Sequence, residues 1–229
     1  MKALAKHIPL LSRVVHRFRS RLRASRARRV PFPGSAVYWE RRYAEGGNSG
    51  AGSSANLAEF KAGVLNQFAA THQVQTVIEL GCGDGNQLSL AKYPTYLGFD
   101  VSQYAVLRCQ ELFRSDGSKS FRLMSEYNGE TADLALSLDV IYHLVEDVVF
   151  EHYMRTLFGA SERYVVIYSS DTDDNRGYEG SHIRHRRFTG WVQSNRPDWT
   201  LLRRVPNRYP YRGNHQTSSF SDFFIYQKA

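Results

Sequence analysis

Apolar residues recur along this chain with two different spacings, and the change between them marks where a folded domain begins. Leu4, Ile8, Leu11, Val15, Phe18 and Leu22 follow one another at steps of four, three, four, three and four, the spacing of one face of an amphipathic helix. Pro9 belongs to a first turn or divides off a short preceding segment, so the spacing predicts a helix from about residue 10 to the high twenties. Val30-Pro31-Phe32-Pro33-Gly34-Ser35 ends it. An aromatic helix over Tyr38–Tyr43, a Gly/Ser/Asn-rich loop from Gly46 to Ser54 and a helix with Leu57, Phe60, Val64, Leu65 and Phe68 lead to a first strand at 76–80. Thereafter strands at 94–99, 120–124, 132–138 and 163–169 alternate with helices from about Asn86, from Ser102 to about Ser115 and from about Glu146 to Phe158. Such alternation predicts an α/β fold with a mostly parallel sheet and helices on both faces. After Ser170 it loosens: a polar stretch to Gly180, a basic aromatic segment and a short helix with Thr189 near its N-cap. Strands near 199–205 and 221–227, with no helix between them, read as an antiparallel hairpin closing the sheet edge.

Charge divides the chain at the same place. The formal net charge of +8 suggests a nucleic-acid partner, yet ten of the 30 Lys/Arg lie before Glu40, where there is no Asp or Glu. The remainder carries 20 basic residues against 22 acidic ones and is nearly neutral, so a phosphate-tracking face on the folded part is not expected. The basic part is a tail of residues 1–34, followed by a domain of residues 35–229 whose segment 35–56 would act as a lid. Residues 10–29, with Arg13, Arg17 and Arg21 opposite the apolar face, suit peripheral contact with an anionic membrane surface. A disordered basic arm or an organellar presequence shares the same composition. The two cysteines, Cys82 and Cys109, imply no disulfide framework, and a cytoplasmic setting, with the tail on the inner face of the membrane, is the expectation.

The chemistry concentrates in Val77-Ile78-Glu79-Leu80-Gly81-Cys82-Gly83-Asp84-Gly85-Asn86-Gln87-Leu88. A buried strand runs into three alternate glycines, which let the backbone turn with a ligand pressed against it at the carboxyl end of the sheet. A dinucleotide site would want its third glycine at position 86, which is Asn. The Glu-x-Gly-x-Gly-x-Gly spacing instead resembles motif I of the class I S-adenosylmethionine (SAM) methyltransferases. The resemblance implies a Rossmann-like seven-stranded sheet of order 3-2-1-4-5-7-6, with SAM as cofactor. It implies that the turn Gly81, Cys82, Gly83, Asp84 and Gly85 holds the methionyl part and that Glu79 faces its amine. Asp100, with Val101 after it, would accept the ribose hydroxyls; Glu126 would lie beside the adenine, and Leu138 and Asp139 would line the other side. Arg42, on the lid, would pair with the methionyl carboxylate.

Methyl transfer to a hydroxyl benefits from a base, and His143 after the fourth strand is the leading candidate, beside Asp139 and Tyr142. In Ser181-His182-Ile183-Arg184-His185-Arg186-Arg187-Phe188, an extended backbone would put His182, Arg184 and Arg186 on one face and His185 on the other. Asp139, His182 and His185 are further candidates for catalysis, and Tyr142, His182, Arg184 and Arg186 for binding a polyhydroxylated or anionic acceptor. Asp171, Asp173 and Asp174 read as solvated loop carboxylates, with a divalent-cation site shared with His143 as the alternative. The Asn/Asp-Pro-Pro-aromatic motif of base methyltransferases is replaced by Asp139-Val140-Ile141-Tyr142, and no two prolines are adjacent anywhere in the chain. The resemblance extends to bacterial methyltransferases of polysaccharides and small molecules, and a small-molecule or glycan acceptor is expected. Other readings are an RNA or protein methyltransferase that uses the tail for binding, or a non-catalytic SAM-binding module.

Overall fold

The most apolar segments of the chain become the inner strands of a single seven-stranded sheet. The computed structural model describes residues 32–53, 55–178 and 181–229, so the amphipathic segment at 10–29 lies outside the described residues. The compact unit runs from Phe32 to Ala229. Its elements in chain order are α1 (Ser35–Ala44), α2 (Ala55–Thr71), β1 (Thr76–Leu80), β2 (Thr95–Asp100), α3 (Gln103–Leu112), β3 (Lys119–Leu123), β4 (Ala132–Leu138), α4 (Asp147–Gly159), β5 (Ser161–Ser169), α5 (Phe188–Asn195), β6 (Trp199–Val205) and β7 (Asp222–Lys228). The strand order is β3-β2-β1-β4-β5-β7-β6. β1 to β5 pair in parallel, and β7 enters antiparallel between β5 and β6.

Parallel strands need both faces covered, and each face has its own core. Leu65 and Phe68 of α2, with Val106 and Cys109 of α3, pack on Val77, Leu134, Leu136 and Val166. Phe150, Met154 and Leu157 of α4, with Phe188 and Val192 of α5, cover Ile78, Leu80, Ala135 and Val165 on the other face. The alternation of side chains across each strand divides the two sets. Ser102 caps α3 by accepting from the Ala105 amide at 3.3 Å.

One expected element is corrected. After the glycine turn there is no α-helix from Asn86, only a 3-10 turn at Leu88–Leu90. The nine residues from Asn86 to Pro94 must return to the start of β2, which is parallel to β1. The whole connection, residues 81–94, reaches the usual dozen or more, but the glycine turn takes its first five. α5 begins at Phe188, one residue before Thr189, whose amide and hydroxyl donate to Asp171 at 3.1 and 2.7 Å. No helix among the described residues is long and apolar enough to cross a membrane.

Candidate functional site

At the carboxyl ends of β1, β2 and β4 the glycine turn opens into a cavity of about 340 Å³, roofed by α1 and the loop that follows it. Gly81 has φ +87°, and a Cβ there would come within 2.5 Å of Val140 Cγ2. Gly83 has φ +59°, and a Cβ there would strike Ser49 Oγ. Only glycine permits both the left-handed backbone and the close approach. Gly85, at φ +77°, is left-handed too, and an added Cβ would press on Phe113 and Cys109 at 2.9 and 3.1 Å. Cys82 lines the cavity; its contact with Cys109 and its burial push the thiol well up.

Two buried carboxylates face this turn. Asp100, at the end of β2, accepts from the Gly83 amide and the Ser102 amide, each at 2.9 Å. Burial still pushes its carboxyl up to about 6. Glu79 accepts from the Tyr96 hydroxyl at 2.7 Å, and burial pushes it up to about 7 against the pull of Lys61. Gln87 lines the cavity with its Oε1 buried and unpartnered. Glu79, Asp84, Asp100, Asp139 and Glu146 line the cavity against a single lysine, Lys61. The lining is therefore complementary to a cation that also presents hydroxyls and donors. Val101 and Leu138 are in the lining as well.

Two expected contacts fall elsewhere. Glu126 is exposed and accepts from the Leu123 amide at 2.8 Å, while Met124 of the same turn reaches the cavity. Arg42 donates from Nε to Asn48 O at 2.7 Å and lies over the Trp39 ring at 5.6 Å, outside the lining.

The loop after α1 is pinned across the glycine turn. The Ser49 amide donates to Asp84 Oδ2, and the Asp84 amide donates to Ser49 Oγ, both at 3.0 Å. Tyr43 and Ser49 share a hydroxyl contact at 2.9 Å. At the other end of α1, Ser35 Oγ donates to Glu146 Oε2 at 2.6 Å and accepts from the Val145 amide at 3.0 Å.

His143 enters the cavity from a 3-10 turn, Ile141–His143, that follows β4. Its Nδ1 lies 3.0 Å from His182 O. A carbonyl only accepts, so Nδ1 carries the proton and Nε2 holds the lone pair. His182 stacks on the ring at 5.1 Å and Trp39 meets it edge-on at 4.8 Å. Burial pulls its pKa down to about 4. Asp139 adopts φ +60°, unusual for a residue with a side chain. Three donors hold it: Lys61 Nζ at 2.9 Å, Tyr142 Oη at 2.9 Å and Ser221 Oγ at 3.2 Å. Lys61 was not expected here. It is fully buried on α2, four residues from both Leu57 and Leu65 and so on their inward face.

No protein-family model and no curated protein matches the chain. Solved structures do. The N-methyltransferase NodS from Bradyrhizobium japonicum WM9, in complex with S-adenosyl-L-homocysteine, matches with a TM-score of 0.66 at 15% identity, over 85% of this chain and 98% of that one. The chain has the class I methyltransferase fold. Magnesium protoporphyrin IX methyltransferase (ChlM) from Synechocystis PCC 6803 matches with a TM-score of 0.59 at 12% identity, over 76% of this chain and 84% of that one. The methyltransferase domain of bacterial CtHen1 gives 0.58 at 18%, over 76% and 99%.

The remaining candidates flank the cavity of this methyltransferase fold without lining it. Arg184 donates to Val145 O at 2.9 Å and pairs with Asp147 at 3.0 Å. Arg186 donates to Leu144 O at 2.6 Å and to Asp147 at 3.0 Å. They share a face, as an extended backbone requires, and that face clamps the start of α4 instead of opening on the cavity. His182 lies on the same side, stacked between Tyr38 and His143. His185, on the opposite face, turns into a second cavity, with Nδ1 at 2.6 Å from Ser170 Oγ. The Tyr142 ring neighbours one lining residue of each cavity, 4.4 Å from His143 and 6.0 Å from His185. Asp171 caps α5, and Asp173 accepts from the Arg187 amide at 2.9 Å. Among the described residues no group of three or more His, Cys, Asp or Glu could hold a metal ion.

Proposed function

We propose that this protein is a SAM-dependent methyltransferase that methylates a hydroxyl of a sugar, glycan or other small molecule, with His143 as the general base. The observation that carries the reading is the cavity itself. The glycine turn, the buried Glu79 and Asp100 and His143 all line it, beneath α1 and the loop that follows. The acidic lining fits a cationic cofactor, and the orphaned Gln87 Oε1 offers an acceptor for a ligand hydroxyl or amine. When bound, SAM supplies a methyl group on a positively charged sulfur.

The chain's task is then to align the acceptor and take its proton. His143 is neutral throughout the neutral range, because burial holds its pKa near 4. A base this weak does not ionise an alcohol beforehand. It takes the proton as the new carbon–oxygen bond makes that proton strongly acidic. His182 O keeps the proton on Nδ1 and so keeps Nε2 available. Trp39, Tyr43 and the lid exclude water from the transfer.

Transfer of labelled methyl from SAM to a panel of sugars, phenols, lipids and RNA tests the reading. Labelling is expected in a hydroxyl-bearing small molecule or glycan. His143→Ala should lower kcat by about a hundredfold without changing SAM affinity. At saturating SAM, wild-type kcat should be flat at neutral pH and fall only as His143 protonates toward its pKa of about 4. Full activity of His143→Ala at neutral pH would remove His143 from the mechanism, and labelling of RNA alone would overturn the acceptor class.

A further inference from the structure

A second cavity of about 380 Å³ lies at the carboxyl end of β5, beside β7. Adjoining residues connect it to the proposed methyl-transfer cavity. Tyr142 and Ser221 both donate to Asp139 of the first cavity, and Asp222, next in the chain, lines the second. Its size is within the ~300–1,000 Å³ of small-molecule sites.

Three features of its lining define a ligand. First, the charged side chains, three Asp and two Arg, are already engaged within the protein, Asp171 by the Thr189 amide and hydroxyl. Arg176 grips Asp174 with Nε to Oδ1 at 2.9 Å and Nη2 to Oδ2 at 2.5 Å. Arg204 likewise grips Asp222, with Nη2 to Oδ2 at 2.6 Å. A phosphate or sulfate would need cations that are not already paired, and a cationic ligand would need uncommitted carboxylates. Paired carboxylate and guanidinium groups still offer lone pairs and N–H donors to hydroxyls. Second, aromatic rings stand among these polar groups. Phe220 meets His185 edge-on at 4.7 Å, Tyr178 does so at 4.8 Å, and Tyr211 is 41% exposed at the rim. Third, Ser169 Oγ is buried with no hydrogen-bond partner, a state that costs stability unless something bonds it.

We propose that this cavity binds a neutral sugar unit of the acceptor, next to the unit that receives the methyl group. Hydroxyls meet the ion-paired side chains and Ser169, and the C–H face of the ring lies on Tyr211 and Phe220. The proposal rests on the methyltransferase reading above and narrows it to acceptors of at least two sugar units, one in each cavity.

The test uses the full chain saturated with S-adenosyl-L-homocysteine. Saturation-transfer NMR reads contact with methyl glycosides of glucose, mannose, galactose and rhamnose and with their disaccharides, with and without sulfate. Contact with at least one neutral glycoside is expected. It should weaken about tenfold in Tyr211→Ala, the loss of one aromatic contact, and vanish in Thr172→Trp, which fills the mouth. Calorimetric SAM affinity and melting temperature should stay at wild-type values in both variants. No contact with any glycoside, contact that survives both variants, or displacement by sulfate would overturn the proposal. Absence of SAM binding by the wild-type chain would instead overturn the methyltransferase reading, and the two failures are read on separate instruments.

Discussion

Lys61 and Asp139 form an ion pair at the cavity floor, with side-chain exposures of 0% and 13%. Two opposite charges so placed are tolerated because each satisfies the other, and removing one leaves the other stranded. Lys61→Met should therefore lower the unfolding free energy by about 3 kcal/mol in urea, and Lys61→Met with Asp139→Asn should recover part of that loss. Equal stability of Lys61→Met and wild type would show that the pair carries no structural weight. The residue scale also shows where the amino-acid sequence was readable. Glu79 and Asp100, at the ends of the first two strands, and His143, after the fourth, are legible from position, and all three line the cavity. Lys61 is hard to read from sequence because a lysine is ordinarily solvent-facing. Its heptad-like register with Leu57, Leu65 and Phe68 was the available signal. Arg184, Arg186 and His185 had their faces assigned by alternation, but alternation says nothing about which neighbour each face meets.

At the scale of elements, the proposed lid, α1 with the loop after it, is bonded to the glycine turn. Ser49 and Asp84 exchange hydrogen bonds, and the space for that contact exists because Gly83 has no side chain. Gly83→Ala should force the lid off the turn and strain a backbone at φ +59°. Calorimetry should read SAM affinity reduced by about tenfold or more, equivalent to ~1.4 kcal/mol, with the far-ultraviolet spectrum unchanged. Undiminished affinity would contradict the account of the lid. β1, β4 and β6 begin and end where apolar periodicity placed them, and the other strands differ by one or two residues. The helix after the turn failed as an expectation for a reason of length: nine residues must cover the return to β2. Periodicity alone does not register that the chain has to travel back along the sheet. The course of residues 171–187 was hardest to read, because side-chain caps such as Asp171 and Asp173, not a repeating pattern, fix it.

For the whole molecule, strand order and cavity belong together. The order reverses between β1 and β4, and the ligand crevice of an open parallel sheet lies at such a reversal. The glycine turn, Asp100 and Asp139 all arrive there from separate strands. Glu79 and Asp100, held near 7 and 6 by burial, couple that crevice to pH. A cationic ligand favours their charged forms, so binding must release protons between about pH 5 and 7, and affinity must rise as pH rises through that window. Calorimetric titration of SAM at pH 6.5 and 8, in buffers of different ionisation enthalpy, tests this most directly. The account predicts saturable binding of SAM, tighter at pH 8, with net proton release at pH 6.5 and no comparable binding of NAD. Binding of NAD in place of SAM, or no binding of SAM at either pH, would contradict it.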